Sequence, residues 1–178
     1  MNEHARVGTR LPVFTGQSGH ELLGVYLNDH LAGATAGTER SRHLAMATRG
    51  SEIGDAMAPI AAEIAEDRRS LLEIMRALRI PVRRYKVYAG RLGERAARLK
   101  SNGGLVRRSP LSTLLELELL QSGIRGKACA WEVLRSLAAR DTRLDPRRLD
   151  DLFERAGRQQ SIVEDLRRLQ AAEVFRDR

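Results

Sequence analysis

Two polar side chains interrupt apolar stripes of this sequence and could do chemistry inside a folded core. His30 lies in a series that steps by three or four residues from Leu27 to Ala34, and Asp67 lies in a similar series from Ile64 onward. A charged Asp among apolar side chains is costly unless it is paired, and an imidazole is an obvious partner. The pair predicts a structural ion pair, a metal site, or a histidine base oriented by a carboxylate.

The residue types favour the structural interpretation of this pair. A mononuclear metal site could be completed only by carboxylates, because His43 is thirteen residues from His30 and no histidine follows it; Cys129 is the only cysteine, which excludes a CxxC knuckle. No nucleophile or oxyanion donor accompanies the histidine, which argues against catalysis without deciding whether the chain is an enzyme. No cofactor is predicted. The metal candidates are His30, Asp67, Glu63 and Glu118. The predicted polar core layer is His30, Asp67, Gln121 and Gln159.

Four long amphipathic segments must position these side chains. Apolar residues recur at helical spacing over residues 20–48, 55–78, 110–140 and 146–175, with Asp55 and Ser109 as expected N-caps. The predicted inner faces of the first, second and fourth segments are Leu23, Leu27, His30, Ala34, Gly37, Ser41 and Leu44; Ile60, Ile64, Asp67, Leu71, Ile74 and Leu78; and Leu149, Leu152, Ala156, Gln159, Val163, Leu166 and Gln170. Lys127 falls in the third segment, and we expect its side chain to reach the surface; an inward lysine paired with a carboxylate, for which Asp67 is a candidate, is the alternative. The chain is therefore predicted to be all-α.

The lengths of the connections predict a topology for the four helices. The first and last connections are short and indicate antiparallel hairpins, whereas about thirty residues, 80–108, join the second helix to the third. Such a link can travel the length of a bundle, so we expect a single four-helix domain over 18–178 with one long helical crossover, preceded by a flexible arm, 1–17. A fifth core helix over 82–100 is the alternative.

The basic charge of the chain is concentrated in that crossover. Of the net +8, residues 79–108 carry ten Arg or Lys against Glu94 alone, a local +9. Such a cluster could bind nucleic acid or an anionic surface, or it could be the solvated face of an amphipathic helix whose inner side carries the tyrosines. The anion-binding candidates are Arg83, Arg84, Lys86, Arg91, Arg95, Arg98 and Lys100.

Composition restricts the broad class of protein. Aromatic residues are 4% of the chain and apolar ones 42%, which suits helices better than sandwiches. No apolar run is long enough to cross a membrane and the first residues lack a signal-peptide core, so we expect a cytoplasmic protein. Gly33 and Gly37 form a GxxxG pair outside any apolar segment, and we expect them, with Ala34 and Ala36, to allow close helix packing; a pocket beside His30 is the alternative.

Three motifs carry a resemblance to a known family. The stretches LNDHLAG and SPLSTLLELE, and GIRGK followed by Trp131, resemble an uncharacterised family of bacterial ferritin-like proteins of this length, from about residue 20 onward. The resemblance implies a ferritin-like four-helix bundle but no activity.

The di-iron pattern of ferritin-like proteins is missing. Such sites take Glu-x-x-His from each of two helices, whereas Glu63 is followed three residues later by Glu66 and Glu164 by Arg167. We therefore expect a non-enzymatic structural or interaction protein that assembles as a homo-oligomer. The alternatives are a degenerate metal- or small-ligand-binding bundle and a nucleic-acid or anionic-surface binder acting through 83–100.

Overall fold

The computed structural model describes residues 18–83 and 109–176, which form four long α-helices and no strand. The predicted all-α class is confirmed. The expected arm, 1–17, and most of the expected crossover, 84–108, lie outside the described residues. The helices are α1 (Gly19–Ala47), α2 (Glu52–Ala77), α3 (Pro110–Leu137) and α4 (Pro146–Val174).

Side-chain caps set the start of each helix. Ser18 forms a capping box with Glu21, and Ser109 caps α3 ahead of a proline that needs no hydrogen-bond acceptor at the first helical position. The predicted N-cap of α2 was wrong by four residues, because the cap is Ser51, whose Oγ accepts from Gly54 N, and not Asp55. Local capping chemistry therefore fixes the ends of the helices.

Contacts at the helix ends fix the direction of the second hairpin. The carbonyl of Pro110, at the start of α3, accepts a hydrogen bond of 3.1 Å from Gln170 near the end of α4, so these two helices are antiparallel. The Leu78 carbonyl, just after α2, accepts from Arg143 in the turn between α3 and α4 at 3.3 Å. Since α2 and α3 both end at this level, they run parallel.

Contacts near the start of α1 complete the arrangement. The Asn28 side chain donates to the Pro81 carbonyl at 3.1 Å, which places the first part of α1 beside the end of α2 and makes this pair antiparallel. α1 also packs against α3, and α4 also packs against α2. The described chain therefore leaves α2 at one end of the bundle and re-enters at α3 at the other end.

The core lies along the shared axis of the four helices. The buried face of α4 is the predicted one in full, and every predicted core residue of α2 is also buried. Trp131 of α3 is the largest fully buried side chain. The buried residues of α4 are Leu149, Leu152, Ala156, Gln159, Val163, Leu166 and Gln170.

The buried face of α1 differs from the predicted one. Leu31 and Thr38 are buried, while the predicted positions His30 and Gly37 are only half-buried. Since neighbouring residues of a helix are about 100° apart, the middle of α1 is rotated from the predicted orientation, so that Leu31 and Thr38 are the residues that face the core.

The predicted close packing at Gly33 and Gly37 involves none of the residues that the structure describes. A Cβ built on either glycine would meet no described atom within 4 Å. Within the described ranges, no helix is long and apolar enough to span a bilayer.

Candidate functional site: a buried ion-pair network

Asp67 is the centre of a polar network in the core. It lies on the buried face of α2 between Ile64 and Leu71, and only 1% of its surface is exposed. A buried carboxylate needs compensation from cations and hydrogen-bond donors. The other helices supply both.

Lys127 of α3 is the first partner of Asp67. Its Nζ lies 2.5 Å from Asp67 Oδ2 and 2.5 Å from Gln159 Oε1, and its side chain is 14% exposed. The prediction that Lys127 extends to the surface was wrong, because the charge of Asp67 gives the ammonium an internal partner that an apolar core would lack.

Gln159 of α4 connects two acidic groups of α2. It is fully buried, and its Nε2 donates to Glu63 Oε2 at 2.8 Å and to Asp67 Oδ2 at 3.2 Å. Glu63 and Asp67 are four residues apart and so lie on the same side of α2. One amide therefore uses its oxygen on the ammonium and its nitrogen on two carboxylates.

Arg155 of α4 is the second cation of the network. Its Nη2 lies 2.5 Å from Asp67 Oδ1, and its Nη1 lies 3.3 Å from Glu66 Oε2 at the surface. The contact with Oδ1 is an ion pair whose angles fall short of a hydrogen bond, and Arg155 Nε is buried without a partner among the described residues. Both oxygens of Asp67 are thus occupied by side-chain cations.

The positive and negative charges of this network offset each other inside the protein. Burial lowers the pKa of Lys127, and the neighbouring Asp67 opposes that shift. Lys127 and Arg155 together offset the charges of Asp67 and Glu63. An ammonium held between two oxygens presents no free lone pair, so this geometry fits a structural role better than nucleophilic or base catalysis.

His30 lies apart from this network. Its ring makes an edge-on contact with Tyr26, with centroids 4.4 Å apart, and burial lowers its pKa against the opposing effect of Asp29. Arg68 donates to Thr35 at 2.9 Å. This bond sets Asp67 opposite residue 36 of α1, so His30 is roughly 9 Å away along the bundle by the helical rise.

The predicted pairing of His30 with Asp67 is therefore not what the structure shows. The partners of Asp67 are Lys127 of α3 and Arg155 and Gln159 of α4, and His30 lies at another level of the bundle. The alignment of α1 on α2 places Asp67 opposite residue 36, about six residues from His30.

The other predicted metal ligands are also separated. Glu118 is exposed on α3, while Glu63 is bound to Gln159. Across residues 18–83 and 109–176, no group of three or more His, Cys, Asp or Glu side chains could hold a metal ion. Of the four candidates, the structure brings only Glu63 and Asp67 together.

Gln121, predicted for the polar layer, belongs to a second cluster around Glu164. Its Nε2 donates to Glu164 Oε2 at 2.7 Å, and Arg167 and Arg168 also donate to this carboxylate. The hydrogen bonds from Arg167, followed by that from Gln121, lower the pKa of Glu164 to about 2.

We expect the Glu164 cluster to contribute to the acid sensitivity of the fold. A carboxyl whose pKa is depressed in the folded state stabilises it above the ordinary value near 4.5, and the contribution is lost as pH falls toward about 2. Urea unfolding at a series of pH values should show the parent and Glu164→Gln converging between pH 5 and pH 2. A carboxyl NMR titration of Gln121→Leu should give a higher midpoint for Glu164; an unchanged midpoint contradicts the assignment.

Of the seven basic candidates, only Arg83 is among the described residues. It is exposed, and its backbone N donates to Asn28 Oδ1 at 2.8 Å. Arg84, Lys86, Arg91, Arg95, Arg98 and Lys100 lie outside the described ranges. Anion binding through this segment stays a prediction.

Sequence reasoning offered the pairing of Lys127 with Asp67 only as the alternative to a surface lysine, and it missed Arg155. Lys127 follows Ile124 by three residues and precedes Trp131 by four, which places it on the buried series of α3. Arg155 precedes Gln159 by four residues and lies on the same side of α4. The available signal was this spacing, which places both cations near the buried faces of helices that must also cover a buried Asp.

Across residues 18–83 and 109–176, fold and site together define an all-α arrangement of four helices with a buried, internally neutralised ion-pair network. No protein-family model, curated protein sequence or solved structure matches the chain. The resemblance to bacterial ferritin-like proteins therefore stays a prediction.

Proposed function

We propose that this chain is a non-enzymatic, ferritin-like structural or interaction protein whose core carries its own cations. In ferritin-like di-iron proteins, inward-facing carboxylates and histidines of the four helices hold metal ions. Here the ammonium of Lys127 and the guanidinium of Arg155 occupy the two oxygens of the central carboxylate, Asp67. That observation carries the proposal.

The directions of the helices support the ferritin-like part of the proposal. α1 and α2 are antiparallel, as are α3 and α4, while α2 and α3 run parallel. A bundle with these directions needs one connection that spans its length, and the 25 residues 84–108 are available for it. The proposal includes a cytoplasmic homo-oligomer.

Selecting one alignment of the helices is a reason for the bundle to keep an ion pair in its core. Ion pairs in a core add little stability over apolar residues of similar volume, but they penalise arrangements that separate the charges. Asp67, Lys127 and Gln159 come from three different helices, so their pairing specifies one register of those helices. An interaction protein benefits from a rigid scaffold of this kind.

Metal binding tests the proposal directly. Protein purified without a histidine tag and incubated with Fe²⁺, Mn²⁺ or Zn²⁺ should retain far less than one metal per chain, and its thermal unfolding midpoint should not rise with metal. Stoichiometric metal that protects against unfolding would overturn the proposal. Lys127→Ala is the matched variant: since it removes the ammonium from Asp67 Oδ2 and Gln159 Oε1, it should gain a weak metal response that the parent lacks. Light scattering measures the predicted homo-oligomer separately.

A further inference from the structure

One end of the bundle is rich in arginine. Residues 76–83, at the end of α2, carry three arginines and no acidic residue, and residues 140–148, between α3 and α4, carry four arginines against Asp141 and Asp145. At the other end, residues 47–55 and 170–176 carry two arginines against three acidic residues. The charge of these terminal segments is therefore distributed unevenly between the two ends.

Hydrogen bonds bring the two arginine-rich segments together. Arg143 Nη1 donates to the Leu78 carbonyl at 3.3 Å, and the same guanidinium donates to Asp141 through Nε at 2.9 Å and through Nη2 at 2.6 Å. A second contact is the ion pair between Arg148, in the first turn of α4, and Glu73, about one turn before the end of α2. Both segments therefore contribute to one surface, which we call the basic end.

The basic end presents five arginines that are not engaged by the protein itself. All five are exposed, and within the described part of the chain none of their side chains forms an ion pair or a hydrogen bond. These residues are Arg76, Arg79, Arg83, Arg140 and Arg147.

The helix dipole accounts for only part of this charge. Cations are favoured near the carboxyl ends of helices, which fits Arg76 in the last turn of α2 and Arg140 just after α3. Arg147, in contrast, lies in the first turn of α4, where the dipole favours an acidic side chain, and that turn contains no acidic residue. Local stability therefore does not explain Arg147.

Arg79 has a backbone conformation that suits glycine better. Its φ is 56°, in the left-handed region, and it directly follows the end of α2. Ile80 N donates to the Met75 carbonyl at 2.9 Å, a pattern of helix ends that usually has glycine before the donor. Side chains other than glycine are strained in this region, and such strain often marks a functional position. Arg79 and Arg147 thus both hold cations where local stability favours other residues.

We propose that the basic end binds the phosphate backbone of a nucleic acid. Guanidinium groups on two separate segments can contact several phosphates at once, and each contact is a charge-assisted hydrogen bond. Val82 is the one exposed large apolar side chain of the two segments, so insertion into a membrane would bury little apolar surface. The inference rests on the proposed function, since it names the partner of an interaction protein.

Charge reversal at the basic end tests this inference. Arg140→Glu with Arg147→Glu changes two exposed residues, and Arg42→Glu with Arg49→Glu makes the same change in charge near the opposite end. Binding to a short, fluorescently labelled DNA duplex of mixed sequence is measured by anisotropy over a salt series. Affinity at low salt should fall at least about tenfold in the first variant and less than about threefold in the second. The slope of log affinity against log salt should decrease by about two in the first variant, because two phosphate contacts are lost.

Arg79→Gly separates binding from a structural role. Glycine relieves the left-handed strain, so the urea midpoint of unfolding should rise, whereas loss of the cation should weaken duplex binding about threefold and reduce the salt slope by about one. A more stable variant with unchanged duplex binding would contradict a role for Arg79. Because this variant is expected to fold better than the parent, misfolding cannot account for weaker binding.

Three outcomes would overturn the inference. The parent could fail to bind the duplex at low salt, or the Arg140→Glu, Arg147→Glu variant could bind as well as the Arg42→Glu, Arg49→Glu control. The parent could also bind phosphatidylserine vesicles and not the duplex, which would assign the basic end to a membrane surface. None of these outcomes depends on metal uptake, so the failure of this inference is distinguishable from that of the proposed function.

Discussion

Replacing Asp67 by leucine is expected to lower the free energy of unfolding by about 3–5 kcal/mol, because two cations would remain near the core without their shared carboxylate. Lys127 is the more affected, since its side chain is 14% exposed and its other acceptor is an uncharged amide. Arg155 loses less, because it can turn toward Glu66 at the surface. Urea unfolding followed by circular dichroism measures the loss.

The paired change Asp67→Leu with Lys127→Met should recover most of that loss. Removing both charges leaves apolar side chains of similar volume, a replacement that is often neutral in cores. The double-mutant cycle should therefore show strong coupling between the two sites. Asp150→Asn is the matched control on a surface pair: Asp150 is bonded to Arg135 at 2.7 Å with both side chains about half exposed, so its loss should cost under about 1 kcal/mol. Additive effects of Asp67→Leu and Lys127→Met would contradict the network.

The helices and most of their buried faces could be predicted from the sequence because both depend on local signals. Serine or aspartate followed by proline marked the starts of α3 and α4, and the period of the apolar residues gave all seven buried residues of α4. These signals act within one helix. No information about neighbouring helices is needed to read them.

The partners in the core could be predicted only in part, because they depend on how helices are aligned with one another. The sequence placed Asp67 and Gln159 correctly in the interior, since each sits within an apolar series. It did not give the register of α1 on α2, and an error of a few residues was enough to replace Lys127 by His30 as the partner. A long lysine can also reach several levels of a bundle, so its spacing alone does not determine its contacts.

The glycines show the same division between local and tertiary signals. Gly33 and Gly37 have the spacing of a packing motif, yet no described atom approaches the space where their Cβ atoms would lie. Gly54 belongs to no motif and is the tightest of the described glycines. Its role follows from the turn that connects α1 to α2.

Gly54→Ala is expected to destabilise the fold by about 2–3 kcal/mol, against the ordinary preference of helices for alanine. A Cβ at this position would lie 2.2 Å from the Thr48 carbonyl oxygen and 2.9 Å from Arg49 N. These are backbone atoms of the α1–α2 turn, where Thr48 O also accepts from Ser51. The turn would have to shift and weaken the cap of α2, a cost typical of overpacking. Thermal and urea unfolding of the variant measure it.

Gly157→Ala gives the matched control with the opposite sign. Gly157 lies in the middle of α4, and a Cβ there meets no described atom within 4 Å, so alanine should stabilise the helix by about 0.5–1 kcal/mol through backbone entropy alone. The same substitution should thus lower stability in one helix and raise it in another. If Gly54→Ala is as stabilising as Gly157→Ala, the turn does not pack on Gly54 as described. The close alignment of α1 on α2, on which the level of Asp67 depends, would then need a different cause.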